Sequence, residues 1–156
     1  MPRQYLYAPL VVAAVLFAFL GCKPREEGPP PASGEAPPAK GLSGDFGLIS
    51  ASEFNVDDYK GQVLVLDFWA TWCGPCKMEI PHLIELQDKY RAQGLVIVGI
   101  TMDDNPDADV PPYAAEVGMN YVNVRGTEQM KGEYNVIGLP TIVVFDRDGN
   151  KVLTRP

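Results

Sequence analysis

Two thiols three residues apart, in Trp72-Cys73-Gly74-Pro75-Cys76-Lys77, are the groups of this chain best suited to chemistry. Set in one turn of a helix, Cys73 and Cys76 lie on the same face and close enough to form a small disulfide. Cys73 comes first, beside the unpaired N–H groups and the positive dipole end of such a helix, so its thiolate is favoured. Cys76, one turn further in, is expected to be less exposed. The asymmetry predicts that Cys73 attacks another molecule's disulfide and that Cys76 resolves the mixed disulfide. Pro75, with its fixed φ and no N–H, suits a first helical turn. Asp67 lies within Val-Leu-Val-Leu-Asp-Phe-Trp, where a carboxylate is desolvated and holds its proton more tightly. Such a group can take a proton from Cys76 and return it. The alternative reading is a structural carboxylate bound to backbone N–H groups at the end of a strand.

These residues need a strand and a helix to hold them. Val63 to Ala70 is a near-continuous apolar run, the pattern of a strand buried on both faces. After Pro75 the spacing turns helical: Ile80, Leu83, Ile84, Gln87 and Tyr90 fall three or four apart, with Gly94 as the expected C-cap. The cysteines therefore sit where a buried strand hands over to a helix.

The run Asp67-Phe68-Trp69-Ala70-Thr71-Trp72-Cys73-Gly74-Pro75-Cys76-Lys77, with Pro81 in the helix, resembles the thioredoxin family. Ala70-Thr71-Trp72-Cys73 and Glu79-Ile80-Pro81 are similar to its membrane-tethered bacterial branch, the TlpA/ResA-like thiol–disulfide oxidoreductases. The resemblance implies an α/β thioredoxin fold. Its central mixed sheet is flanked by helices and carries an N-terminal strand pair and an inserted helix and strand. It also implies a cis peptide bond before Pro140 facing the cysteines, with Trp72, Gly74, Pro75 and Leu139 contacting substrate and Leu139 pairing with an extended segment. The Gly74-Pro75 dipeptide and Asp67 resemble reducing thioredoxins. The lysine that accompanies the buried carboxylate there is replaced by Gly99. The partners implied are protein disulfide substrates and a membrane thiol-electron donor of the DsbD/CcdA kind. The only cofactor expected is the redox-active disulfide Cys73–Cys76 itself. Apocytochrome c and copper-site assembly proteins are typical targets of such proteins.

A 46% hydrophobic fraction suits one core, and a formal charge of −7 with no basic patch argues against a nucleic-acid binder. A monomer is expected. The third cysteine, Cys22, closes a different segment. Residues 1–22 carry Arg3 and an apolar stretch from Leu10 to Leu20, shorter than the ~20 residues a spanning helix needs. A secretory signal fits better, and Ala18-Phe19-Leu20-Gly21-Cys22 resembles a bacterial lipobox whose cysteine is lipidated. An uncleaved signal anchor and simple secretion are the alternatives. All three place the domain outside the cytoplasm, and lipidation puts it on the periplasmic side of the cell envelope, anchored to membrane. Residues 23–42 are Pro-rich and read as a disordered tether, reaching on the order of 25 Å if flexible or roughly 60 Å if extended.

The thioredoxin-like domain is assigned to 43–156. Phe46 to Ser50 and Glu53 to Val56 read as two short strands, and Asp57 to Gly61 as a turn. Leu95 to Thr101 reads as a second buried strand, parallel to the first. Asp103 to Pro112 reads as an acidic, Pro-containing loop, either solvated or the entry to a helix, that lacks the EF-hand order for calcium. A short helix over Pro112–Val117, a strand over Tyr121–Val124 and a helix capped by Thr127 follow. Ile142 to Phe145 reads as a strand, then a hairpin at Asp146–Asn150 and an edge strand from Lys151. Family members normally continue into one more helix, which this domain is expected to lack; if Pro156 is the natural end, one sheet face is exposed or covered by a partner.

Other chemistries fit less well. A c-type haem site needs His directly after Cys76, where Lys77 stands. Zinc needs four ligands, and Cys73, Cys76 and His82, the chain's one histidine, make three. A copper chaperone of the Sco type, the rival binding module, uses C-x-x-x-C and a distant histidine. A peroxiredoxin needs Thr-x-x-Cys, and Thr71 is too close to Cys73. A disulfide-donating oxidant remains the alternative direction for the same motif.

Overall fold

The computed structural model describes residues 48–156; the signal, Cys22 and the Pro-rich tether lie outside them. Six strands form one sheet in the order β1-β4-β3-β2-β5-β6. These are β1 (Leu48–Ile49), β2 (Val63–Trp69), β3 (Leu95–Thr101), β4 (Val122–Arg125), β5 (Thr141–Phe145) and β6 (Lys151–Arg155). Among the described residues three α-helices accompany them: α1 (Gly74–Tyr90), α2 (Pro106–Val117) and α3 (Glu128–Tyr134). Strands β1, β4, β3 and β2 run parallel, whereas β5 and β6 join antiparallel. The helix that follows the cysteines thus connects two parallel neighbours, β2 and β3, as the apolar runs require.

The alternation of side chains along β2 decides what lies under the cysteines. Leu64, Leu66 and Phe68 point to one face, where they pack with Val98, Val143, Met130 and Tyr134. Trp69 belongs to the opposite face, with Ile97, Ile80, Leu83, Val110 and both cysteines. Burying each large side chain stabilises the fold by roughly 1.5–3 kcal/mol, so a one-residue slip of β2 would forfeit both clusters. Helix α1 is also pinned by a polar clasp. Buried Gln87 donates to the Leu95 carbonyl at 3.1 Å and accepts from the Ile97 N–H at 2.6 Å.

Three expectations need correction. The N-terminal strand pair is a single strand, β1, paired parallel with β4. Residues 53–56 form no strand: Ala51–Glu53 and Val56–Tyr59 are 3-10 turns. Polar side chains turn the chain there, with Glu53 Oε2 accepting from the Ser50 N–H at 2.9 Å and Asn55 Oδ1 from the Asp57 N–H at 3.0 Å. The acidic loop is mostly helix, because α2 begins at Pro106. Pro106 stands where a helix needs no N–H, and buried Val110 and Ala114 offset the donors lost at Pro111 and Pro112. Helix α1 ends at Tyr90, and Gly94 caps the 3-10 turn that follows it, at φ 85°. Thr127 does cap α3, its Oγ1 accepting from the Met130 N–H at 3.2 Å.

Strand β6 is exposed along its length. On the α1 side of the sheet an apolar groove lies open, lined by Val63, Val65, Leu83, Leu86, Tyr90 and Leu95 among others. Among the described residues no helix is long and apolar enough to cross a membrane.

Candidate active site

Strand β2 ends at Trp69 and α1 begins at Gly74, so Cys73 falls at the helix N-cap. Its sulfur accepts from the Cys76 N–H at 3.2 Å, and the two cysteines form a disulfide. Both are buried, Cys73 at 5% exposure and Cys76 at 1%. Reduction would leave Cys73 at the positive end of a seventeen-residue helix with that N–H aimed at its sulfur, which stabilises a thiolate there. Cys73 is the more exposed of the two.

Apolar side chains lie exposed in the loops that carry Trp72 and Pro140. Trp72 is 66% exposed and Ile137 86%; Gly74 and Pro75 are exposed as well. The Leu139–Pro140 bond is cis. Half-buried Leu139 packs against the cluster that contains both cysteines, and Thr141 Oγ1 donates to the Gly138 carbonyl at 2.7 Å. His82 is exposed on α1.

Asp67 is 1% exposed, and neither carboxylate oxygen has a hydrogen-bond partner among the described residues. The backbone-bound structural carboxylate is therefore not what forms. Burial pushes its pKa up to about 8, and the nearby Glu79 carboxylate adds to the rise. No side chain enters from β3, because Asp67 faces Gly99 in register. A Cβ at Gly99 would collide with Asn123 Oδ1 and Trp69 Nε1, which are hydrogen-bonded to each other at 3.0 Å. The position of the missing lysine is filled by this indole–amide pair.

Two site residues escaped the sequence reading. Glu79 stands three residues after Cys76, on the same helical face; that spacing was the available signal. Its Oε2 is buried without a partner among the described residues. Desolvation raises its pKa, and His82 works in the opposite direction. Asp103, read as part of a solvated loop, is buried. It accepts from the Thr71 N–H at 3.0 and 3.1 Å, from Thr71 Oγ1 at 2.5 Å and from Thr101 Oγ1 at 2.6 Å. It thereby ties the loop carrying Trp72 and Cys73 to the end of β3, and it commits the Thr71 hydroxyl away from the cysteines. Asp103→Asn is expected to leave at least one of these donors unpaired and to cost about 1–3 kcal/mol. A urea midpoint equal to that of the unaltered protein would remove this anchoring role.

A disulfide at the head of a helix, with a buried carboxylate on the same face of a mixed sheet, defines a thioredoxin-fold protein with a paired-cysteine site. Residues 34–152 match the AhpC/TSA family, and the chain belongs to that family, on the TlpA/ResA-like side of the thioredoxin superfamily. It is similar to the thiol-disulfide oxidoreductase ResA of Geobacillus kaustophilus, at 33% identity over 67% of this chain and 62% of that protein. It is also similar to the thioredoxin-like protein YneN of Bacillus subtilis, at 31% identity over 67% of this chain and 64% of that one. The chain thus spans under two thirds of these relatives' length. Among solved structures, a thiol:disulfide interchange protein of the thioredoxin family from Chlorobium tepidum superposes with a TM-score of 0.59. The identity there is 29%, over 65% of this chain and 74% of that one.

Proposed function

We propose that this protein is a thiol–disulfide oxidoreductase that reduces protein disulfides outside the cytoplasm. The Cys73–Cys76 disulfide at the N-terminus of α1, with Asp67 buried on the same face of the sheet, carries the reading. In the reduced protein the Cys73 thiolate attacks a substrate disulfide, expelling one substrate thiolate and forming a mixed disulfide. Asp67 then takes the Cys76 proton, and the Cys76 thiolate attacks the Cys73 sulfur. The Cys73–Cys76 bond forms, the second substrate thiolate leaves and is protonated, and two electrons have passed to the substrate. Exposed Trp72, Gly74 and Pro75 form the contact surface, and the backbone before Pro140 offers Leu139 to an extended segment.

Regeneration requires a thiol donor, and a membrane carrier of the DsbD/CcdA kind fits a domain held at a membrane surface. The lipobox-like sequence ending at Cys22 and the Pro-rich tether support a lipid-anchored protein of the cell envelope, acting as a monomer. Oxidised apoproteins of cytochrome c or copper-site assembly are the substrates to try first.

Equilibration of the Cys73–Cys76 pair with glutathione and dithiothreitol buffers tests the direction. A potential near thioredoxin's, about −270 mV, is expected for a reductant, and one near about −120 mV would make the protein a disulfide donor instead. The absence of any dithiol–disulfide couple would return the copper-chaperone reading.

A further inference from the structure

Tyr121, immediately before β4, takes no part in the mechanism above, yet its hydroxyl is buried at 1% exposure without a partner among the described residues. Both oxygens of Asp67 and Oε2 of Glu79 share that condition. The three side chains come from β2, α1 and the approach to β4; Tyr121 packs in the same buried cluster as Trp69 and Cys76, and both carboxylates act on its hydroxyl. Orphaned oxygens in a protein interior are rare and call for donors. Two carboxylates supply none, except as a proton that one of them holds. The remaining donor of the three is the Tyr121 O–H.

We propose that the Tyr121 hydroxyl donates to the Asp67–Glu79 pair through one bridging water, and is the positioning residue that keeps one carboxylate ionised as the base for Cys76. The inference rests on the dithiol–disulfide reading above. Two neighbouring carboxylates with buried oxygens do not both ionise readily, so they titrate as a pair that holds a shared proton over a wide pH range. A donor aimed at the ionised member favours that singly charged state over the doubly protonated one, which has no base to offer. The phenol keeps its proton throughout, since burial and the surrounding acids raise its pKa well above the ordinary value.

The other facing groups do not supply that donor. From α2 comes Tyr113, beside Glu116. Lys77 of α1 lies over the Tyr113 ring at 5.2 Å, and His82 acts on Glu79 from the exposed side of α1. From β3 comes Gly99, and Asn123 of β4 is held by Trp69 and by the Met119 sulfur. Removing the hydroxyl should therefore protonate the pair at higher pH.

The test is the pH dependence of Cys76 attack in single turnover, starting from a mixed disulfide between Cys73 and a model peptide. In Tyr121→Phe the midpoint of the rise in rate should move up by roughly one pH unit, the size of a lost hydrogen bond to a charged group. In an Asp67→Asn/Glu79→Gln background the same substitution should shift nothing. Superimposable profiles for Tyr121→Phe and the unaltered protein would overturn the proposal. If Asp67→Asn still changed the profile, the exchange mechanism beneath it would stand. Carbon-13 NMR of the unaltered protein gives a readout that survives any folding defect in the variant. The Tyr121 Cζ resonance should titrate with the midpoint of the Asp67 carboxyl, and a resonance flat through that midpoint would equally overturn the proposal.

Discussion

Cys73→Ser is expected to abolish multiple-turnover reduction of a disulfide substrate, a loss on the order of 10³-fold or more, as for removal of any obligatory nucleophile. The reason is positional. Cys73 is the N-cap of α1, its sulfur accepts the Cys76 N–H, and it is the less buried of the pair. Serine keeps the cap hydrogen bond, so the fold should persist and the loss should be chemical. Cys76→Ser should behave differently. The first attack proceeds, but the inner thiol that releases the substrate is gone, so mixed disulfides with Cys73 accumulate and can be counted by mass spectrometry under non-reducing conditions. Sustained turnover in the Cys73→Ser protein would defeat the mechanism, as would equal trapping by both variants.

Asp67→Asn should change both rate and stability, with a sign that follows from burial. The folded protein holds the Asp67 proton up to about pH 8, whereas an unfolded chain releases it near the ordinary value of 3.8. Across that window the native state binds the extra proton, so its stability is fully present below the unfolded pKa and is lost as pH rises toward the folded one. The loss accumulates to something on the order of 6 kcal/mol, at about 1.4 kcal/mol per unit. Asparagine does not titrate, so the variant should lack this decline. Relative to the unaltered protein it should gain stability between pH 4 and pH 8. Urea midpoints at the two pH values measure the difference of differences, and parallel curves for the two proteins would mean that the carboxylate is not desolvated as the structure has it. In activity the variant should be slower, most clearly as the pH approaches 8, where Asp67 ionises and can take the Cys76 proton. An unchanged pH–rate profile would reduce Asp67 to scaffolding.

The parts that were legible in the chain are those whose physics is local. Val63–Trp69 is a strand buried on both faces and reads as one, and the periodic positions after Pro75 are those that α1 turns inward. Errors arose where short polar side chains bend the backbone against its apparent pattern. Ser50, Glu53 and Asn55 make 3-10 turns out of residues that looked like a strand. Proline misled in the other direction: three of them suggested a loop over 103–112, but Pro106 opens a helix and the buried face of α2 tolerates the other two.

By itself the sequence determined the chemistry: two thiols at the head of a helix, a carboxylate in the apolar strand that leads there, and a family resemblance written in eleven consecutive residues. All of that follows from neighbours along the chain. Only the tertiary structure decided how the site is held and tuned. Asp103 clasps Thr71 from 32 residues away, Trp69 and Asn123 close the space beside Gly99, and Glu79 and Tyr121 bring unpaired oxygens toward Asp67. Such convergence depends on strand register and on which helix face turns inward. Those are settled when the whole core packs, and no stretch of the chain carries them alone.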